Sequence, residues 1–225
     1  MSDPTSSIAI PQFRYFLAFR FLLTFSIQMQ AIVVGWQVYD LTKDPLSLGL
    51  IGLAEAISYI GTALFGGYIA DRFDRRRIAF FCAMIYNACS VGLLVVTFAE
   101  PATTNHAVFL FFAIVFFIGI SRGFFAPAIS ALFAQIIPRR LYLNGAAWNT
   151  NVWHTAAVAG PAAGGIVYGY FGVVPAYATL IAISIGATLI IFRIPNFPYE
   201  RSENRESIFQ SVSKGVGFVF SNQIL

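Results

Sequence analysis

Long apolar runs separated by short polar breaks dominate the pattern of this chain. A helix needs about 20 mostly apolar residues to cross the hydrocarbon core of a bilayer. Six runs satisfy that length, at about residues 15–39, 46–70, 78–98, 107–137, 146–171 and 173–194. The pattern predicts six transmembrane helices, so the fold class is all-α integral membrane protein.

The breaks between the runs have the composition of turns. Residues 41–45 (LTKDP) end the first run, and the residue before Pro45 is biased away from helix. Residues 99–105 form a polar loop, and Gly172 separates the last two runs. Residues 138–144 (PRRLYLN) end the fourth run at a proline and offer Asn144 as the N-cap of the next helix.

The break at residues 66–78 (GGYIADRFDRRRI) is the most polar point of the chain. It carries six charges in seven residues: Asp71, Arg72, Asp74, Arg75, Arg76 and Arg77. An Arg or Asp at the centre of a bilayer costs about 2.5–3.5 kcal/mol on insertion scales. We therefore expect an aqueous turn between two spanning helices.

Composition and charge agree with this topology and give it an orientation. The chain is 58% hydrophobic and only 11% charged, whereas soluble domains are about 25% charged. Eleven of the 14 Lys and Arg residues lie on the side of the 66–78 turn, Lys43 lies opposite, and Arg20 and Arg122 lie within helices. The positive-inside rule places that turn and both termini in the cytoplasm. We expect a lipid bilayer around the protein and no nucleic-acid partner.

The last part of the chain differs from the rest. Residues 1–194 form the predicted six-helix bundle, and residues 195–225 begin with a polar, charged stretch. Apolar residues then recur at helical spacing from Ile208 to Phe220, which predicts an amphipathic helix at the membrane surface. We expect residues 195–225 to be a cytoplasmic linker that leads to a second half, missing from this sequence.

The charged turn resembles the cytoplasmic signature of the major facilitator superfamily, G-x-x-A-D-R-x-G-R-[KR]. Asp74 stands where that signature has a glycine. In this family the cluster latches the two halves of the transporter in the outward-open state. The resemblance assigns the latch to Gly67, Asp71, Arg72, Arg75 and Arg76; the alternative is that the cluster only fixes topology.

A second match lies in the fifth run, at residues 156–165. It resembles the antiporter motif of the same superfamily, with Ala156 in place of the usual glycine, and comprises Ala156, Gly160, Pro161, Gly164 and Gly165. Ala156, Gly160 and Gly164 form one smooth helix face on which a neighbouring backbone can pack. A general packing surface of small residues is the alternative interpretation.

The resemblance extends over nearly the whole chain, to the drug–proton antiporter branch that contains enterobactin exporters and macrolide efflux pumps. It covers one of the two six-helix halves of such transporters, a half being a 3+3 inverted repeat. It implies a multi-pass cell-membrane protein, in bacteria the inner membrane, and a partner bundle that is either the missing C-terminal half or a second copy.

Ionisable residues inside membrane helices are functional candidates by default. Glu55 lies in the second run, with Tyr59 on the same helix face, and is a candidate proton carrier in a cavity. The alternative is a structural carboxylate paired to an arginine. Arg122, in the fourth run, is a candidate for coupling or anion binding, or a structural partner of Glu55. His154 can exchange protons near neutral pH, or can be a neutral, hydrogen-bonded histidine.

Amides complete the set of candidate cavity residues. Gln30 and Gln37 share one face of the first helix at a spacing of seven. Asn151 lies beside His154, on the face of the fifth helix opposite the small residues. We expect these three amides to line a cavity.

Proton-coupled efflux of an amphipathic small molecule, of the drug or siderophore class, is the leading functional hypothesis. Substrate and protons would share a midplane site under alternating access. The sequence has no GxxxxGK[ST] phosphate loop, no HExxH and no metal-ligand spacing, so we expect neither an enzyme nor a cofactor. The alternatives are a non-transporting half that serves as an assembly or sensor module, and a half-size transporter that works as a homodimer.

Overall fold

The computed structural model describes residues 7–99 and 105–196, apart from the side chains of residues 64 and 105. Six α-helices occupy these residues: α1 (Pro11–Thr42), α2 (Pro45–Arg72), α3 (Arg75–Ala99), α4 (Asn105–Ile136), α5 (Tyr142–Phe171) and α6 (Val173–Ile190). Short 3-10 turns at Arg139–Leu141 and Ile191–Arg193 follow α4 and α6. The predicted all-α class is confirmed.

Five segments of the described part are long and apolar enough to cross a membrane: α1, residues Pro45–Ala63 of α2, α3, residues His106–Ile136 of α4, and Val173–Arg193. These segments support a multi-pass membrane protein. Helix α5 does not reach the same hydropathy, because it contains Asn149, Asn151 and His154 among its small residues. Its membrane crossing stays a prediction of the sequence.

The helix ends follow from local chemistry. Lys43 ends α1 in the left-handed conformation, at a φ of 53°. Asp44 then caps α2, because its side chain accepts a hydrogen bond from the Leu46 backbone N–H at 3.0 Å. Pro45 is the first residue of α2, where a missing backbone donor costs nothing.

Asp74 stabilises the start of α3 in the charged turn. Its carboxylate accepts hydrogen bonds from the backbone N–H groups of Arg76, at 2.9 Å, and of Arg77, at 3.2 Å. It thereby satisfies two donors that the first turn of α3 leaves free. A side chain that stabilises the helix start replaces the glycine of the family signature.

The prediction for Asn144 was wrong. Helix α5 begins at Tyr142, with Leu141 as its N-cap residue. Asn144 therefore lies within the first turn, where its side chain accepts a hydrogen bond from the Ser7 hydroxyl. The 3-10 turn at Arg139–Leu141 directly precedes α5, so the N-cap lies three residues earlier than predicted.

The helix pairings show an internal repeat. The most extensive contacts join α2 to α4 and α1 to α5, followed by α3 to α4 and α1 to α6. If α1, α2 and α3 are exchanged with α4, α5 and α6 in order, the α2–α4 pairing becomes the α1–α5 pairing. The α3–α4 pairing becomes the α1–α6 pairing in the same way. This is the contact pattern that a 3+3 repeat requires.

The charged turn and four other helix ends lie together at one end of the bundle. Arg76, at the start of α3, donates from Nε to the Ile191 carbonyl at the end of α6, at 3.0 Å. The ring of Phe133, near the end of α4, lies 6.0 Å from that of Phe16 in α1 and 5.2 Å from that of Tyr142 in α5. Which face of the membrane this end occupies stays a prediction from charge.

The predicted amphipathic helix of the linker lies outside the described residues, which end at Asn196. The cytoplasmic location of the two termini likewise stays a prediction.

Candidate functional site

Glycines bring α2 and α4 into backbone contact. A β-carbon at Gly119 would overlap the Ser58 hydroxyl and lie 2.5 Å from the Glu55 carbonyl oxygen. A β-carbon at Gly123 would overlap the Thr62 hydroxyl. Only glycine permits this approach. We call these five residues, Glu55, Ser58, Thr62, Gly119 and Gly123, the α2–α4 seam.

The close approach brings the two charged side chains of this region together. The Arg122 guanidinium donates a charged hydrogen bond to Glu55 Oε1. The same guanidinium lies 6.0 Å from the centre of the Tyr59 ring. Glu55 is 24% exposed and Arg122 is 38% exposed in this bundle, so both keep access to the adjoining space.

A cavity of about 580 Å³ lies beside this ion pair, among α1, α2, α3 and α4. Its lining is mostly aliphatic and aromatic, with Gln30 and Glu55 as its amide and carboxylate. A smaller pocket is lined by Arg122 and Ser121 and shares Ile27, Tyr86 and Ile118 with the cavity. The two charges of the pair therefore face adjacent spaces.

The two glutamines of α1 have different surroundings. Gln30 lines the cavity, and its Oε1 accepts a hydrogen bond of 2.7 Å from the Ser90 hydroxyl. Gln37 lies instead in a buried network, in which it donates to Thr97 Oγ1 at 2.9 Å and accepts from the Tyr177 hydroxyl at 2.8 Å. The structure thus separates two residues that share a face in sequence.

The polar residues of α5 lie apart from the Glu55–Arg122 pair. Asn151 and His154 are both exposed, and the His154 ring contacts the neighbouring Trp153 ring at a centroid distance of 4.9 Å. Neither residue is among those that line the cavity.

The small residues of α5 face α1. Ala156, Gly160 and Gly164 are buried. A β-carbon at Gly160 would lie 2.6 Å from the Phe25 carbonyl oxygen, and one at Gly164 would lie 2.9 Å from the Met29 carbonyl oxygen. We call Phe25, Met29, Ala156, Gly160 and Gly164 the α1–α5 seam.

Two further residues of the antiporter motif are not part of this seam. A β-carbon at Gly165 would meet open space within the described chain. Pro161 is half-buried and lies inside the continuous helix.

The two glycines of the charged turn also differ in how closely a neighbouring helix approaches them. A β-carbon at Gly66 would overlap the Gly123 carbonyl of α4, whereas one at Gly67 would meet open space within the described chain. The family signature therefore includes Gly67, but the close approach depends on Gly66.

The arginines of the turn have separate contacts. Arg72 lies 4.2 Å from the centre of the Tyr68 ring, and Arg75 donates from Nε to the Ala70 carbonyl at 3.3 Å. Arg76 reaches across to α6, where it also donates to the Phe192 carbonyl at 3.2 Å. Asp71 is exposed at the end of α2.

Sequence reasoning missed Tyr86. This buried residue lines both spaces, and its hydroxyl lies 3.0 Å from the Ser26 hydroxyl. Ser26 donates its own proton to the Leu180 carbonyl at 2.8 Å, so Tyr86 is the donor to Ser26. The recurrence of Tyr86, Asn87 and Ser90 along one apolar helix was the available signal.

Comparisons with known proteins agree with this architecture. Residues 16–225 match the Major Facilitator Superfamily. The "Uncharacterized MFS-type transporter YkuC" of Bacillus subtilis (strain 168) is 28% identical over 194 residues, covering 82% of this chain and 44% of that protein. The "Enterobactin exporter EntS" of Salmonella typhi is 24% identical over 222 residues, covering 96% of this chain and 51% of that protein. The chain thus spans about half the length of the curated relatives it matches.

A solved structure shows the same fold. The crystal structure of the POT family transporter PepTSo has a TM-score of 0.70 over 94% of this chain and 46% of its own, at 16% sequence identity. The helical bundle, the apolar segments and the match over residues 16–225 lead to one conclusion: the chain belongs to the Major Facilitator Superfamily.

Proposed function

We propose that this chain forms one bundle of a secondary active transporter that exports an amphipathic small molecule in exchange for protons. The observation that carries the proposal is the Glu55–Arg122 ion pair at the edge of the cavity. A paired carboxylate inside membrane helices is costly to maintain and is a common element of proton pathways.

The coupling follows from the geometry of the pair. A proton that binds Glu55 removes its negative charge and breaks the attraction to Arg122. The guanidinium then remains as a bare positive charge beside an apolar space, which disfavours a ligand bound there. Proton entry and ligand release are thus linked at one site, as exchange requires.

Alternating access needs a second bundle across the midplane. The curated relatives are about twice as long as this chain, which supports a partner bundle that is either a C-terminal half or a second copy. On this proposal the exposed polar residues of α5, Asn151 and His154, face the partner and line the shared path. The relatives named as enterobactin exporters are bacterial, which supports the inner membrane as the location.

The two motifs have roles in the same cycle. Asp71, Arg72 and Arg75 at the exposed turn are suited to contact the partner bundle as a latch, together with Gly67, whose surface is open. Arg76 stabilises the latch by holding α3 to α6. The α1–α5 seam keeps the antiporter-motif helix rigid against α1.

The test uses everted membrane vesicles from cells that express the protein, with an acridine orange signal for the pH gradient. Enterobactin and erythromycin serve as the substrate probes. We expect one of them to release protons from energised vesicles, Glu55→Gln to abolish that release, and Glu55→Asp to retain part of it because the carboxylate is kept.

Proton release by Glu55→Gln at the unmodified rate would overturn the coupling role of Glu55. Substrate movement that persists after the pH gradient is collapsed would overturn proton coupling altogether. Absence of release with both probes would remove the drug and siderophore classes that they represent.

A further inference from the structure

We propose that the cavity beside Glu55 selects an uncharged, largely aromatic ligand and rejects permanent cations and anions. The inference rests on the proposed function, because it names the substrate class of the same site. It follows from the size of the cavity, its lining and the partners of its carboxylate and amide oxygen.

The cavity has the size and the walls of a small-molecule site. Its volume of about 580 Å³ lies within the range of about 300–1,000 Å³ typical of ligand pockets. Aliphatic side chains from three helices form most of the lining, including Ile32 of α1, Leu48 of α2 and Val115 of α4. Such walls favour the transfer of an apolar ligand from water.

Aromatic rings make one part of the lining suited to planar groups. Trp36 and Tyr39 of α1 contact each other edge to face, with centroids 6.4 Å apart, and both line the cavity. Tyr86 of α3 forms a further part of the wall, and its hydroxyl is engaged with Ser26. Offset and edge-to-face contacts with these rings favour an aromatic ligand.

The carboxylate and the amide oxygen of the lining both have partners. The carboxylate of Glu55 is neutralised by Arg122, and the amide oxygen of Gln30 accepts from Ser90. A cation or an anion that entered would lose hydration and, among the described residues of the lining, find no unpaired opposite charge. An uncharged ligand avoids this cost.

The experiment compares three aromatic probes of similar shape: triphenylphosphine oxide, which is uncharged, the tetraphenylphosphonium cation and the tetraphenylborate anion. Equilibrium binding of radiolabelled probe is measured on the purified protein in lipid nanodiscs, and empty nanodiscs give the lipid background. We expect the uncharged probe to bind at least about tenfold more tightly than either ion, a difference that reflects the desolvation of charge.

A matched pair of variants locates the binding. Gly52 lines the cavity and Gly61 does not, yet a β-carbon at either glycine of α2 would meet open space. Gly52→Leu should fill the cavity and weaken binding of the uncharged probe about tenfold, since its side chain occupies the apolar volume. Gly61→Leu should bind as the unmodified protein does. If Gly52→Leu fails to fold, Ala31→Leu fills the same cavity from α1.

Arg122→Gln tests the role of charge. It leaves the Glu55 carboxylate unpaired, so tetraphenylphosphonium should then bind more tightly than the uncharged probe. Tighter binding of either ion to the unmodified protein, or equal binding to Gly52→Leu and Gly61→Leu, would overturn the inference. Selective binding without proton release would overturn proton coupling and leave the ligand class standing, because nanodisc binding needs no pH gradient.

Discussion

The α2–α4 seam and the α1–α5 seam use the same packing device with different chemistry. Each places two glycines, Gly119 and Gly123 or Gly160 and Gly164, against the neighbouring helix. The α2–α4 seam also carries the Glu55–Arg122 ion pair. Helix α5, in contrast, contains no Asp, Glu, Lys or Arg between Tyr142 and Phe171.

This difference separates packing from charge in one bundle. The helix pairings of the two seams exchange under the internal repeat, so close contact alone does not account for the charges on one side. We infer that the α1–α5 seam holds helices together, whereas the α2–α4 seam also places a titratable group beside a cavity.

The largest effect on stability is expected from replacing a buried glycine of either seam with alanine. Gly119→Ala and Gly160→Ala each place a methyl group against backbone, so each should lower the free energy of unfolding by about 1–3 kcal/mol, the usual cost of overpacking. Only Gly119→Ala should also remove proton release in vesicles, because it displaces Glu55. Unfolding is measured in detergent by circular dichroism.

Each of the two helix pairs supplies a control for these glycines. Gly61→Ala in α2 and Gly165→Ala in α5 add a methyl group in open space. Both should keep or slightly raise stability, since alanine favours helix by about 0.5–1 kcal/mol over glycine. If Gly160→Ala removed proton release as completely as Gly119→Ala, the two seams would not differ as we infer.

A smaller effect is expected from a double-mutant cycle on the ion pair. Glu55→Gln, Arg122→Gln and the double variant should give a coupling energy of about 1–2 kcal/mol, within the range for groups in direct contact. Single variants leave one charge unpaired near the apolar cavity, whereas the double variant leaves none. Additive losses in the unfolding free energy would show that the contact contributes nothing.

The smallest effect is expected at the ends of α1 and α5 that lie opposite the charged turn. The Tyr168 hydroxyl donates to Asp40 Oδ2 at 2.9 Å, and the Asp40 side chain is 49% exposed. A cycle of Asp40→Asn and Tyr168→Phe should give only about 0.5 kcal/mol, the low end for hydrogen bonds, because water competes for both groups. A coupling larger than that of Glu55 and Arg122 would reverse the ranking of the two helix pairs.

The sequence was informative where a property belongs to one helix. The apolar runs predicted all six helices, because length and hydropathy are local, and the observed starts lie up to four residues earlier. The small-residue face of α5 could also be recognised from its spacing. Pairing with an arginine was one of two interpretations of Glu55 from the sequence. Arg122 was a candidate partner, because the depth of each residue in the membrane can be counted along its helix.

Contacts between helices were beyond that reasoning. Gln30 and Gln37 share a face, yet Gln30 lines the cavity and Gln37 accepts a hydrogen bond from Tyr177 of α6. Gly66 and Gly67 are adjacent, yet only Gly66 faces α4. Helical periodicity gives the direction of a side chain and not the identity of its neighbour.

The hydrogen bonds from Arg76 to the end of α6 connect the positions of α3 and α6. One guanidinium spans from the first turn of α3 to the carbonyls of Ile191 and Phe192. A tilt of α3 would therefore displace the residues at the end of α6. We expect motion of the charged turn to be coupled to motion of Ile191 and Phe192 through these two hydrogen bonds.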